Sequence, residues 1–187
     1  MSGSPTGALD PDFGVGGVAR WVQGPGQAEV RSVAIQRDGR IVAAGFTDYG
    51  RRETIARSLP TGHPDPSFGA AGYVTTPLAG SLQGADRPGN DVTMLLDGRI
   101  AVAGDIWSGP PHVRVAVVTP GGAPDPSFDG DDGVVELALG DPQALDQGGI
   151  LAPTRTGAII VAGTDRVAGL DGTMEVLAVR SVAPVPS

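Results

Sequence analysis

The chain has 187 residues, a formal net charge of −8, no Cys and no Lys, so that every basic side chain is Arg apart from two His. That length suffices for one domain with its own core, while the acidic balance disfavours nucleic acid and anionic lipid as partners. Disulfides, thiolate metal sites and a Cys nucleophile are excluded, and so is a phosphate-binding loop that needs Lys.

From the N-terminus, Met1 to Gly7 has neither the basic nor the apolar stretch of a secretory signal. No apolar run anywhere reaches the roughly 18 residues that cross a bilayer, so no membrane span is expected. Asp10-Pro11-Asp12-Phe13-Gly14 follows, and returns as Asp65-Pro66-Ser67-Phe68-Gly69 and Asp125-Pro126-Ser127-Phe128-Asp129. Each copy is followed by a glycine and an apolar pair: Gly17-Val18-Ala19, Gly72-Tyr73-Val74, Gly133-Val134-Val135. Asp before Pro favours a turn whose carboxylate accepts nearby backbone N–H groups. The repeated Phe reads as a plug between packed layers rather than as a ligand contact.

A second motif runs in phase with the first. Asp38-Gly39-Arg40-Ile41-Val42-Ala43-Ala44-Gly45 matches Asp97-Gly98-Arg99-Ile100-Ala101-Val102-Ala103-Gly104 and, more loosely, Thr156-Gly157-Ala158-Ile159-Ile160-Val161-Ala162-Gly163, at steps of 59 residues. Asp-Gly between two apolar runs predicts a hairpin. A third register holds Ile55-Ala56-Arg57-Ser58-Leu59, Val115-Ala116-Val117-Val118 and Leu177-Ala178-Val179-Arg180. Each unit thus offers four strand-sized segments, near 31–37, 40–46, 53–59 and 72–78 in the first, and no stretch carries a helical period. Strand interiors are apolar on both faces, which suits sheets covered on both sides.

The expected architecture is all-β: a single repeat domain over residues 8–183, with units near 24–78, 79–139 and 140–183. Four antiparallel strands per unit of about 60 residues is the pattern of a β-propeller blade. The two motifs resemble those of the bacterial delta-60 repeat family, and the resemblance covers nearly the whole chain. It implies a propeller-like fold, a place at or beyond the cell surface, and no defined activity. Its weakest match is the third unit, where Thr156 replaces the hairpin Asp and Asp129-Gly130-Asp131-Asp132 carries an extra residue.

By analogy with other propellers, the strand before Asp-Gly lies innermost and the strand after Asp-Pro-x-Phe outermost. The N-terminal strand, residues 13–23, then has no blade of its own, and Met174 to Val182 forms a third strand without an outermost neighbour. The first can complete the last blade in its own chain or in a partner, which removes an exposed edge. Three blades are fewer than the usual four to eight. A homodimer closing a six-bladed ring is therefore expected, with a fragment of a longer propeller and a threefold β-trefoil as alternatives.

Propellers bind ligands at the channel or one ring face, so candidate ligand residues are the unit-specific polar positions Gln27, Glu29, Arg31, Asn90, Asp91 and Gln147, with Trp107 and Tyr49 as aromatic surface. Ordinary solvated loop tips explain the same residues. Asp129, Asp131 and Asp132 offer the raw material of a Ca²⁺ loop without its terminal Glu. His63 and His112 lack partners at motif spacing, and no Gly-x-Ser-x-Gly occurs. These readings favour a non-catalytic propeller module for binding or scaffolding, with a glycan or protein ligand and no cofactor. The rivals are a metal-dependent hydrolase or lactonase of six-bladed type, with Asn90 and Asp91 among its ligands, and a purely structural self-assembling repeat.

Overall fold

The structure is a computed structural model that describes residues 7–21, 26–47, 52–75, 87–106, 112–128, 132–137 and 147–164. Ten strands follow one another: β1 (Glu29–Ile35), β2 (Ile41–Thr47), β3 (Arg52–Ser58), β4 (Tyr73–Thr75), β5 (Arg87–Met94), β6 (Ile100–Ile106), β7 (His112–Val118), β8 (Val134–Leu137), β9 (Gln147–Pro153) and β10 (Ile159–Thr164). They form two four-stranded sheets, β1-β2-β3-β4 and β5-β6-β7-β8, and a two-stranded sheet of β9 and β10. All pairs are antiparallel. Among the described residues no helix is long and apolar enough to cross a membrane.

The expected hairpins are present, and their chemistry is local. In the first, Gln36 N–H donates to Arg40 C=O (2.8 Å) and Gly39 N–H to Gln36 C=O (2.9 Å). Gly39 sits at φ +84°, a conformation that L side chains rarely adopt. The turn at Leu95–Arg99 repeats both bonds, and so does the turn at Thr154–Ala158. Replacing Asp by Thr at position 156 therefore leaves the turn intact. The strand bounds fall within two residues of the sequence expectation for β1, β2 and β3, while β4 begins one residue later and is described only to Thr75.

The sheets stack face to face, because each is apolar on both sides. Val42, Ala44, Ile55, Phe68 and Val74 of the first sheet and its β4 hinge meet Val92, Ile100 and Val102 of the second. The opposite face of the second sheet presents Ala101, Ala103, Val113, Val115, Val117 and Phe128 to Leu151, Ile159 and Val161 of the third. Alternate residues of β6 thus belong to different cores, as the twofold period of a strand requires. The first strands lie side by side, β1 against β5 and β5 against β9. The first two sheets come close at Gly89, where a Cβ would lie 2.5 Å from Gly45 N, so a side chain there has no room.

One register position reports what covers each sheet. Val33, Val92 and Leu151 are equivalent at steps of 59 residues. Val92 is 5% exposed and Leu151 7%, each covered by the preceding sheet, whereas Val33, against which no described sheet packs, is 59% exposed. At the other end, Ile160 is 36% exposed where its equivalents Val42 and Ala101 are fully buried.

The N-terminal segment is not part of any of these three sheets. Gly14 and Val15 bridge only to Val18, in a tight turn. The segment rests instead on the β3–β4 connection: Gly14 N–H donates to Thr61 C=O (2.8 Å), and Trp21 Nε1 to Gly62 C=O (3.1 Å). Phe13 Cε2 would touch a Cβ at Gly62, and Phe68 Cε2 one at Gly122, each at 3.0 Å, so the same wedge is used at successive sheets. Residues 22 and 23 of the expected strand, and Met174 to Val182, lie outside the described residues.

The buried wedges set a graded expectation for stability. Phe68→Ala should cost roughly 3–5 kcal/mol in a denaturant titration, because its ring is fully buried. Phe13→Ala should cost less, since that ring is only partly buried.

Candidate functional site

The three first strands carry a β-bulge at equivalent positions. The ladder of β1 with β2 slips between Val30 and Ser32, leaving Arg31 outside it. The ladder of β5 with β6 slips between Arg87 and Asp91, leaving positions 88–90, Asn90 among them, outside it. In β9 the slip leaves out Gly149. A bulge frees one residue from the alternation and re-aims its side chain. Here the residues outside the ladders include Arg31 and Asn90, two polar positions that differ between units, with Gly149 as their equivalent in β9.

These side chains meet. Arg31 Nη1 donates to Asn90 Oδ1 (2.9 Å), and Asn90 Nδ2 donates to Asp105 Oδ2 (2.8 Å). Arg31 Nε reaches Glu29 Oε1 at 3.3 Å, and its guanidinium carbon lies 4.9 Å from the centre of the Phe46 ring. The side chains of Arg31 and Glu29 remain 20% and 50% exposed, so this cationic and anionic pair faces solvent at the sheet edge.

Next to it, Asp91 ties three sheets together. Its Oδ1 accepts from Ser32 Oγ (2.7 Å) and from Val92 N–H (2.8 Å), and its Oδ2 accepts from Leu151 N–H (2.8 Å). Ser32 Oγ in turn accepts from Val92 N–H at 3.2 Å. In each case a polar side chain of one first strand takes the amide of the next. With both oxygens committed to donors of neighbouring strands, the carboxylate works as a structural clasp. Nearby, the fully buried Glu53 accepts from Gly89 N–H through Oε1 (2.6 Å). Sequence reasoning missed Ser32 and Glu53; the step from Ser32 to Asp91 to Ile150 was the available signal for the first.

The remaining candidates are not brought to this cluster. Gln147 opens β9, opposite Thr164. Asp132 is exposed at a turn, where its Oδ1 accepts from Val134 N–H (3.0 Å). Asp129, Asp131, Trp107 and Tyr49 lie outside the described residues. Among the described residues no group of three or more His, Asp or Glu is arranged to hold a metal ion. Gln27 precedes β1 and is exposed, and His63 is exposed in the β3–β4 connection.

A second polar cluster sits under the repeated Phe, and it is the better buried of the two. Asp65 Oδ1 accepts from Ser67 N–H (2.9 Å) and Ser67 Oγ (2.7 Å), as the turn chemistry of Asp-Pro predicts. Its Oδ2 accepts from Arg40 Nε and Arg57 Nε, both at 2.9 Å. Arg57 also donates from Nη1 to Pro120 C=O of the next unit (2.6 Å) and lies 4.5 Å over the Phe68 ring. In the second unit Ser127 and Arg99 take the corresponding places around Asp125. Burial pushes the Asp65 carboxyl up, but the Ser67 hydroxyl and amide and the Arg57 guanidinium outweigh it and hold the value at about 2. Asp125 is lowered for the same reasons, with Arg99 as its cation.

Two stretches of the chain, residues 36–68 and 95–128, match the model of a family described as a domain of unknown function (DUF5122) beta-propeller. Both begin in the Asp-Gly hairpin turn and end on the Phe of Asp-Pro-Ser-Phe. No curated protein matches the chain. Sequence repeats, stacked antiparallel sheets and this match agree on an all-β repeat similar to a β-propeller family.

The folded-state value of Asp65 lies below its ordinary 3.8, so its contribution to stability is complete above about pH 4 and is lost as pH falls through 2. The loss amounts to roughly 2 kcal/mol. Urea titrations between pH 5 and 2 should show this decline, and Asp65→Asn should flatten it while lowering stability at neutral pH.

Proposed function

We propose that this chain is a non-catalytic β-propeller module of the delta-60 kind, used for binding or scaffolding at or beyond a bacterial cell surface. Each unit contributes one four-stranded blade. Two copies join head to tail, the third blade of one against the first of the other, and close a six-bladed ring. The observation that carries this reading is the exposure of Val33 at 59%, against 5% and 7% at its equivalents Val92 and Leu151. Two sheets of this chain are covered by a predecessor, and the first presents the same kind of surface with no described sheet over it.

The occupant is a second copy because the chain carries both halves of the seam. The first sheet offers Val30, Val33 and Ile35, all more than half exposed, beside a hollow of about 210 Å³ lined by Ala43, Phe46, Ala56 and Tyr73. The third sheet offers Ile160 and Ala162, equivalents of the Val42 and Ala44 that fill the first internal seam. A head-to-tail contact of this type generates a ring when its rotation closes. With six blades the usual number is satisfied.

Within that ring the first strands line the channel, and their bulges present Arg31 and Asn90 beside Glu29. Such a strip, polar and different from unit to unit on a shared scaffold, suits a glycan or peptide that both donates and accepts hydrogen bonds. The clasped carboxylate of Asp91 supports binding over hydrolysis, since its oxygens are occupied by structural donors.

Sedimentation equilibrium should give a species of twice the 18.8 kDa chain mass. Val33→Asp should convert it to a monomer that keeps its far-ultraviolet circular dichroism. A native chain that stays monomeric up to high concentration contradicts ring closure by pairing.

A further inference from the structure

The seam between the first two sheets ends in a hollow at their hairpin turns. It measures about 280 Å³, and its lining includes Ile35, Gln36, Arg37, Met94, Leu96 and Gly98. Ala34 and Met94 border the apolar core that fills the rest of the seam. At the rim Ile35 is 57% exposed and Leu96 54%, so apolar surface meets solvent there.

Packing does not explain Gln36. Its equivalent one unit on, at a step of 59 residues, is Leu95. Leu95 is buried and packs with Phe128, Leu151 and Ile159 in the core of the next seam. In the third unit the position is Thr154, whose Oγ1 accepts from Ala158 N–H at 3.0 Å. Gln36 Oε1, by contrast, is buried with no hydrogen-bond partner among the described residues. A buried oxygen without a donor carries a cost that leucine at this place would not. A polar group set in the wall of an apolar hollow is also what orients a ligand in a binding site. Charge at the rim narrows the ligand further. Asp38 is committed to its own turn, its Oδ1 accepting from Arg40 N–H (3.0 Å) and its Oδ2 from Arg40 Nη1. Asp97 holds Arg99 in the same way, through N–H (3.1 Å) and Nε (2.8 Å). Arg37 is exposed and has no ion pair among the described residues. The uncommitted charge at this rim is therefore positive.

We propose that this hollow takes the C-terminal residue of a peptide whose last side chain is apolar. The free carboxylate pairs with Arg37, the last peptide bond meets the Gln36 amide, and the side chain lies against Met94 and Leu96. A primary amide both accepts and donates, which complements the N–H and C=O of a peptide bond. The final torsion of a glutamine is soft, so a rotation there turns Oε1 toward the ligand's N–H. The guanidinium–carboxylate contact is charge-assisted and fixes the direction of the chain. This inference rests on the reading of the protein as a binding module and not on ring closure. Two sheets of one copy build the hollow, so a monomer binds as well as a ring does, and failure to bind leaves the pairing of copies untouched.

Fluorescence anisotropy of the full chain tests it, with fluorescein-labelled peptides of a Gly-Ser spacer ending in leucine, valine or phenylalanine. Each peptide is prepared with a free carboxylate and as the C-terminal amide. Free-acid peptides should bind, and amidation or Arg37→Gln should weaken binding at least about tenfold. Gln36→Leu, which installs the residue type of the second unit, should abolish binding while raising the urea midpoint of the folded chain. No binding of any free-acid peptide up to about 1 mM overturns the proposal. Equal binding of acid and amide overturns carboxylate capture, and binding unchanged in Gln36→Leu puts the peptide elsewhere. A lower urea midpoint for Gln36→Leu overturns the view that Gln36 is held at a cost to the fold. N-acetyl-leucine that competes as strongly as the peptide assigns the hollow to a free acyl amino acid and overturns the peptide reading.

Discussion

Everything in this fold depends on sheets that are apolar on both faces. A strand such as Ile41–Thr47 sends alternate side chains to opposite sides, and in the middle sheet both sets are buried: Ala101 and Ala103 in one core, Ile100 and Val102 in the other. Such a sheet has no solvent face, so it requires a neighbour on each side. The first and third sheets inherit the same sequence pattern and the same requirement. Among the described residues, Val33 and Ile160 are positions of that pattern that stay exposed. Radially repeated β-proteins in general meet such a requirement by stacking like units against one another.

The polar groups serve that stacking as well. Asp65 joins the hairpin turn, the third strand and the Phe wedge through one carboxylate, and Arg57 extends the connection to Pro120 of the following unit. Along the first strands, Ser32 and Asp91 pass hydrogen bonds from one strand to the next. Among the described residues, buried charge thus lies at the seams between sheets and turns. Arg31 and Asn90 join two sheets at the bulges, with the half-exposed Glu29 beside them.

Much of this architecture was legible from residue spacing. Two motifs in phase, at steps near 59 and 60 residues, locate the hairpins, the Phe wedges and the carboxylate turns. Glycines needed for turns and close approach, Gly39 and Gly89 among them, sit where strand alternation breaks. The arginines around Asp65 were not legible, because Arg40 and Arg57 are 25 and 8 residues away and only the fold brings them together. The bulges were equally hidden: inserting one residue into a ladder leaves no mark in a short polar segment. Arg31 and Asn90 were picked out as unit-specific polar residues, but their contact across two sheets depends on those bulges.

The account turns on whether the outer face of the first sheet is covered in solution. The chain has no Cys, so a single thiol introduced as Val33→Cys reports that face alone. Its labelling rate by a thiol reagent, measured across protein concentration, should fall as copies associate and approach the protection of Val92→Cys. A thiol at position 33 that reacts at one fast rate at every concentration contradicts the account.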